Sequence, residues 1–181
     1  MLASLRVIWP GYFAYPATAP RWPGTSLIVG RMTLPTDCYT CAGDADSDQA
    51  PPWERIASDS LWRVAHAFDS ALPGWLVLMP RRHVTAIADL TDSEARLLGT
   101  WQVRLSRALQ QVLGCQKTYV AQFAEAEGFS HVHFHIVPRP PDLPRELRGP
   151  RIFQLLGAAD RPHIGEDQLT QIAAALAAHL D

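Results

Sequence analysis

Apolar positions recur along the chain with two different periods. Leu61–Phe68 and Trp75–Met79 are short apolar runs, the second stopped by Pro80, and Pro73-Gly74 between them makes a turn. The two runs predict an antiparallel pair of strands. The period lengthens from residue 91 onward. Leu97, Leu98, Trp101, Leu105, Ala108, Leu109 and Val112 fall three and four apart, which makes one stripe on a helix. Thr91-Asp92-Ser93-Glu94 reads as a capping box at its start, and Gly114 is placed to end it. Strand character returns over Thr118–Phe123 and Ser130–Val137, after which Pro138, Pro140, Pro141 and Pro144 stop regular structure. A last helix is predicted over 167–180, with Leu169, Ile172, Ala173, Leu176 and Leu180 on one stripe. The order strand, strand, long helix, strand, strand suits an α+β domain, an antiparallel sheet covered by a helix.

The last of these strands holds the main chemical signal. In His131-Val132-His133-Phe134-His135-Ile136-Val137 the histidines alternate with apolar residues. Alternate side chains of a strand share a face, so the three imidazoles project one way and Val132, Phe134 and Ile136 the other. Two chemistries fit: three histidines around a catalytic metal ion, or one nucleophilic histidine positioned by its neighbours. Same-face neighbours on a strand lie about 6.5–7 Å apart, which keeps the outer two from converging on one ion. Different histidines are therefore expected to do different jobs.

Composition narrows the function classes. The 181 residues carry a net charge of −2 with no Lys/Arg-rich stretch, which argues against binding a nucleic-acid polymer. A nucleotide remains suitable as a small substrate. No apolar run is long enough to span a bilayer, so no membrane association is expected. Residues 1–31 are apolar but cut by Pro10, Gly11, Pro16, Pro20, Pro23 and Gly24, and lack the unbroken core of a signal peptide. They read as a disordered extension, or as sequence upstream of a natural start at Met32, ahead of a domain over 32–157 and a C-terminal helical tail over 158–181. The expected location is cytoplasmic. Three cysteines make no secreted disulfide framework. Cys115 stands alone and reads as an inert thiol.

Cys38 and Cys41 form a C-x-x-C pair in a polar, Pro- and Asp-rich stretch that reads as a loop around a knuckle. Two thiolates at this spacing can hold two corners of a zinc tetrahedron. His83, after a strand end, offers a third ligand and the histidine strand a fourth. A Cys2His2 set is closed, hence structural.

His131-Val132-His133-Phe134-His135-Ile136-Val137 resembles the signature of the histidine triad (HIT) superfamily, and Pro138-Arg139 extends the likeness. Cys38-x-x-Cys41, Pro73 to His83 and the helix start at Asp89–Glu94 are similar to further family segments, so the resemblance spans about Thr36 to Arg139. It implies a HIT-like fold of about five antiparallel strands under a long helix, with a C-terminal helix. It also implies a nucleotide hydrolase or nucleotidyl transferase that attacks the α-phosphate of a nucleoside phosphate derivative, a dinucleoside polyphosphate such as a diadenosine polyphosphate or a phosphoramidate. By resemblance His133 is the nucleophile, and His135 contacts the phosphate or holds the geometry. In the zinc-bearing branch Cys38, Cys41, His83 and His131 take the metal. Gln122, the Gly128 backbone and Ser130 fall where family members orient the phosphate. A homodimer is the family's common assembly.

This chain departs from the pattern at two places. Trp75 stands where a histidine usually follows Pro-Gly, and Glu125 and Glu127 bring negative charge to the loop before the triad. The glutamates are expected to point into solvent. The alternative to an active enzyme is a degenerate, non-catalytic nucleotide-binding or assembly module on the same fold.

Overall fold

The computed structural model describes residues 38–45, 49–157 and 163–180; the expected extension over 1–31 and the start at Met32 lie outside the described residues. The elements run α1 (Tyr39–Ala45), β1 (Ala57–Ser58), β2 (Trp62–His66), β3 (Leu76–Pro80), α2 (Asp92–Leu113), β4 (Lys117–Ala121), β5 (Phe134–Arg139) and α3 (Glu166–Leu180). Short 3-10 turns lie between them. The strands form one antiparallel five-stranded sheet in the order β1-β2-β3-β5-β4. This is the α+β arrangement expected, with β1 added as a two-residue edge strand. Among the described residues, no helix is long and apolar enough to cross a membrane.

The alternation of the strands divides the sheet into two faces. Trp62, Val64, Leu76, Leu78, Phe134 and Ile136 belong to the main core, where they meet Trp101, Leu105, Ala108 and Leu109 of α2. Ile172, Ala173, Leu176 and Leu180 of α3 join the same core. Burying a side chain as large as Trp62 or Leu105 contributes about 1.5–3 kcal/mol each, so this face holds α2 and α3 to the sheet. A second, smaller core gathers Trp75 and Val137 with Leu143, Leu147, Ile152 and Leu155. The prolines after β5 do end the strand, but the chain then continues as two 3-10 helices, Arg145–Leu147 and Gly149–Leu155, that build this second core.

Three local expectations are corrected. The C-x-x-C stretch is a two-turn helix, α1, and not a loop. The strand expected over 130–137 begins only at Phe134, because β3 pairs with β5 from Leu76↔Ile136 to Leu78↔Phe134 and there the ladder ends. Upstream of it the Val132 N–H bonds to the Val84 carbonyl at 2.7 Å instead. Pro138 does not end β5, which runs on to Arg139 with Pro138 opposite Thr118 on β4.

The start of α2 is fixed by its capping box. The Thr91 side chain accepts from the Glu94 N–H, and Glu94 Oε2 accepts from the Thr91 N–H at 2.7 Å and the Thr91 hydroxyl at 3.0 Å. Gly114 closes the helix at φ 64°. Glu94 is buried and also pairs with Arg82 through two hydrogen bonds, of 2.8 and 3.2 Å. Burial alone would raise the Glu94 carboxyl, but the Arg82 guanidinium and the two Thr91 donors outweigh it and hold the group below its ordinary value. A carboxylate depressed in the folded state gives stability that is present above its ordinary value of 4.5 and is lost as pH falls through the folded value. Glu94→Gln is expected to lower stability at pH 7 by about 1–3 kcal/mol, the range for breaking a charge-assisted hydrogen bond. It should also flatten the loss of stability below pH 4.5. Urea titrations of both proteins across that range check both effects.

Candidate active site and metal centre

The face of the sheet turned away from α2 is the floor of a cavity of about 450 Å³. Arg63 and Ala65 on β2, Val77 and Met79 on β3, and His133 and His135 on and before β5 all line it. The register explains the grouping, since Arg63 lies opposite Met79, Ala65 opposite Val77 and Val77 opposite His135. The same alternation that sends Phe134 and Ile136 into the core sends His135 into the cavity. The walls are aromatic. Phe153 packs edge-on against His135, with centroids 5.1 Å apart, and Tyr39, Phe68 and Phe129 cluster at 5.2–5.5 Å from one another.

The three imidazoles have separate partners. His133 Nδ1 lies 2.8 Å from the His131 carbonyl, which can only accept, so His133 carries its proton on Nδ1 and keeps a lone pair on Nε2. His131 Nε2 lies 2.9 Å from the Pro80 carbonyl, so its proton is on Nε2 and its Nδ1 lone pair faces the thiols. His135 Nδ1 lies 3.0 Å from the Trp75 indole nitrogen, and burial pushes its imidazole down to about 4. The rings of His133 and His135 meet at right angles, 4.9 Å between centroids.

Cys38, Cys41, His83 and His131 come together with one donor atom each, all within 4.8 Å of one another. Cys38 precedes α1 and Cys41 sits on its first turn, which puts both thiols on one side. Cys41 Sγ lies 3.3 Å from His83 Nδ1 and 3.5 Å from His131 Nδ1, and Cys38 Sγ 3.7 Å from His131 Nδ1. Burial, reinforced by Cys38, pushes the Cys41 thiol up to about 12, and burial pushes His131 down to about 4. Three buried donors and the part-buried His83 suit a divalent cation, which binds thiolate and neutral imidazole and so offsets the burial penalty on Cys41. The Pro80 carbonyl on the far nitrogen of His131 is the usual outer support of a metal-bound histidine. The residues therefore fit a closed zinc site.

The other expected residues are placed less centrally. Gln122, Gly128 and Ser130 are not among the cavity's lining residues. Ser130 is exposed, and the Gly128 carbonyl is taken by the Tyr39 N–H at 3.3 Å. Their loop reaches the cavity through Phe123, Ala124, Glu125, Ala126 and Phe129 instead. Glu127 faces solvent, while Glu125 is exposed at the cavity mouth. Arg139, Arg145, Arg148 and Arg151 all lie off the cavity lining, and Arg148 and Arg151 bond to backbone carbonyls. Trp62 is a core residue, but Trp53 lines the cavity. Tyr39, Arg63, Phe68 and Phe153 also line the cavity, beyond the residues expected from the sequence. Tyr39 had no signal, because it reaches the cavity wall only when the C-x-x-C stretch folds as a helix and not as a loop. Phe153 had none, because only the folding of the proline-rich segment brings it back.

The family profile described as "HIT domain" matches residues 51–142. No curated protein matches the chain. Among solved structures, a zinc-bound histidine triad family protein from Mycobacterium smegmatis is similar at 21% identity and a TM-score of 0.56, covering 78% of this chain and 94% of that one. A histidine triad protein from Bradyrhizobium japonicum is similar at 25% identity and a TM-score of 0.56, covering 70% and 89%. One from Marinobacter aquaeolei reaches 22% and 0.56, covering 70% and 87%. The structures share the fold, the profile spans just over half of the 181 residues and reaches from the cavity floor through the histidines, and the chain belongs to the HIT domain family, generally nucleotide-binding hydrolases and transferases.

Proposed function

We propose that the protein is a nucleotide hydrolase or nucleotidyl transferase that works through a nucleotidyl-His133 intermediate. The observation that carries this reading is the half-buried His133 on the cavity floor, its Nδ1–H held by the His131 carbonyl and its Nε2 lone pair left free. Such an imidazole needs no strong base to attack phosphorus. The P–N bond forms as the bond to the leaving group breaks, and the departing group takes a proton from solvent. Water or another acceptor then attacks the same phosphorus and releases His133. His133→Ala is expected to remove turnover and the covalent adduct seen by mass spectrometry; a variant that hydrolyses at the wild-type rate would sink the mechanism.

The charge of the cavity favours one substrate class. Glu54, Asp69 and Glu125 line it against a single guanidinium, Arg63. That guanidinium donates to the Thr40 carbonyl at 2.8 Å and lies 3.7 Å from Asp44, so its charge is already matched. A polyphosphate chain would bring several negative charges into this field, whereas a phosphoramidate brings one phosphate and an amine. Adenosine 5′-phosphoramidates of primary amines are expected to exceed diadenosine tetraphosphate in kcat/KM by roughly tenfold or more. The gap should narrow as ionic strength rises. Equal values at low salt would exclude the charge argument.

Zinc is the metal we assign to Cys38, Cys41, His83 and His131. Two thiolates and two imidazoles complete a tetrahedron, so the ion would serve structure, tying α1 to the chain before β5. Metal analysis should find about one zinc per chain. Cys38→Ser should lower that content and the melting temperature together. A stable wild-type protein without zinc would remove the assignment.

A further inference from the structure

We propose that Trp75 is a positioning residue that locks His135 as a neutral imidazole with its proton on Nε2, aimed as a hydrogen-bond donor at the phosphoryl group. This rests on the functional reading above and extends it to a residue that departs from the family pattern.

The argument starts with what an indole can do. Its N–H donates and never accepts. Trp75 Nε1 lies 3.0 Å from His135 Nδ1, so that nitrogen must be the acceptor and the proton must sit on Nε2. A histidine or an amide in place of Trp75 could donate or accept, and would leave both tautomers of His135 open. A second proton on His135 would set N–H against N–H, so the cationic form is opposed by geometry as well as by burial. Phe153 closes the arrangement, edge-on to His135 and to Trp75 with centroids 5.1 Å from each.

The indole is itself held in place. Trp75 is fully buried and its carbonyl accepts from the Ala67 N–H at 2.7 Å. The turn before it is fixed by His66, whose Nε2 accepts from the Gly74 N–H at 2.9 Å while its Nδ1 donates to the Ala67 carbonyl at 2.8 Å. Gly74 adopts φ 78°, which side-chain-bearing residues rarely adopt, and a Cβ there would come within 2.2 Å of the Leu113 Cδ1, so a larger residue would strain the turn and displace that side chain. The chain of contacts thus runs from α2 and His66 through the turn to Trp75 and on to His135.

His133 and His135 both line the cavity with ring centroids 4.9 Å apart, so a neutral Nε2–H on His135 suits a phosphoryl oxygen that gains charge as the nucleophile attacks. Holding that donor in place matters most in the transition state, so losing it should lower kcat more than it raises KM.

The test uses zinc-loaded, full-length protein with 15N-labelled histidine. In the wild type the His135 signals should show an unprotonated Nδ1 and a protonated Nε2 at pH 7.5. Trp75→Phe removes the donor, and should give a mixture of tautomers and a kcat lower by about 10- to 100-fold with KM changed far less. Because Trp75 is also a core residue, a second protein carries benzothienylalanine at position 75, which keeps the ring's shape and lacks the N–H. It should melt near the wild type and still lose kcat and the single tautomer. A protonated Nδ1 in the wild type overturns the proposal, and so does a benzothienylalanine protein with wild-type tautomer and kcat. If no nucleotide is turned over by any variant, the functional reading fails while the tautomer measurement still decides the lock.

Discussion

The segment from His131 to Val137 can sit in only one register. Val132, Phe134 and Ile136 are buried in the core against α2, and the Val132 N–H is tied to the Val84 carbonyl. A slip by one residue would turn the imidazoles into the core and leave apolar side chains facing the thiols and the cavity in their place. The desolvation of unpaired imidazoles and the loss of apolar burial both oppose that slip. The chemistry of the cavity floor is therefore a by-product of core packing on the opposite face. Because the chain enters β5 only at Phe134, His131 and His133 lie on a stretch that has left the sheet ladder, and His131 can turn to the thiols while His133 stays over the floor.

The metal cluster and the cavity share one element. α1 brings Cys41 to the histidines and Tyr39 and Thr40 to the cavity wall. Its far end is held by charge: Asp44 lies 3.7 Å from Arg63 and 3.5 Å from Arg81, on and just after the strands beneath. A seven-residue helix has little stability of its own. Its place depends on the four donors at one end and the ion pairs at the other. Shifting it would move Tyr39 away from Phe68 and Phe129 and open the cavity on that side.

Periodic parts of the fold were legible in the sequence. The stripe of α2, its Thr91–Glu94 capping box and the Gly114 stop are local signals, and each appears where its residues stand. The ligands Cys38, Cys41, His83 and His131 were legible through the C-x-x-C spacing and the triad, and they do meet. What could not be read is set by contacts distant in the chain. α1 holds Gly43 and Asp44, poor helix formers, and its donors and ion pairs impose the helix against propensity. The early end of the histidine strand depends on where β3 stops pairing, and Phe153 reaches the cavity because Leu147, Ile152 and Leu155 pack under Trp75. Gln122, Gly128 and Ser130 do not line the cavity, whereas Phe123 and Phe129 of the same loop do, since a loop's lining residues follow from its conformation and not from its spacing.

The division of labour among the histidines comes down to which nitrogen each ring has already committed. Two are held by carbonyls, which only accept: Pro80 fixes the proton of His131 on Nε2, and His131 fixes that of His133 on Nδ1. The third is held by an indole, which only donates, so His135 accepts on Nδ1. None of these partners titrates, and none can reverse its hydrogen bond. What remains free is a lone pair on His131 facing two thiols, a lone pair on His133 and an N–H on His135, the last two on cavity-lining rings with centroids 4.9 Å apart. Three residues of one type in one short segment thus present three different free groups without any difference in their own chemistry.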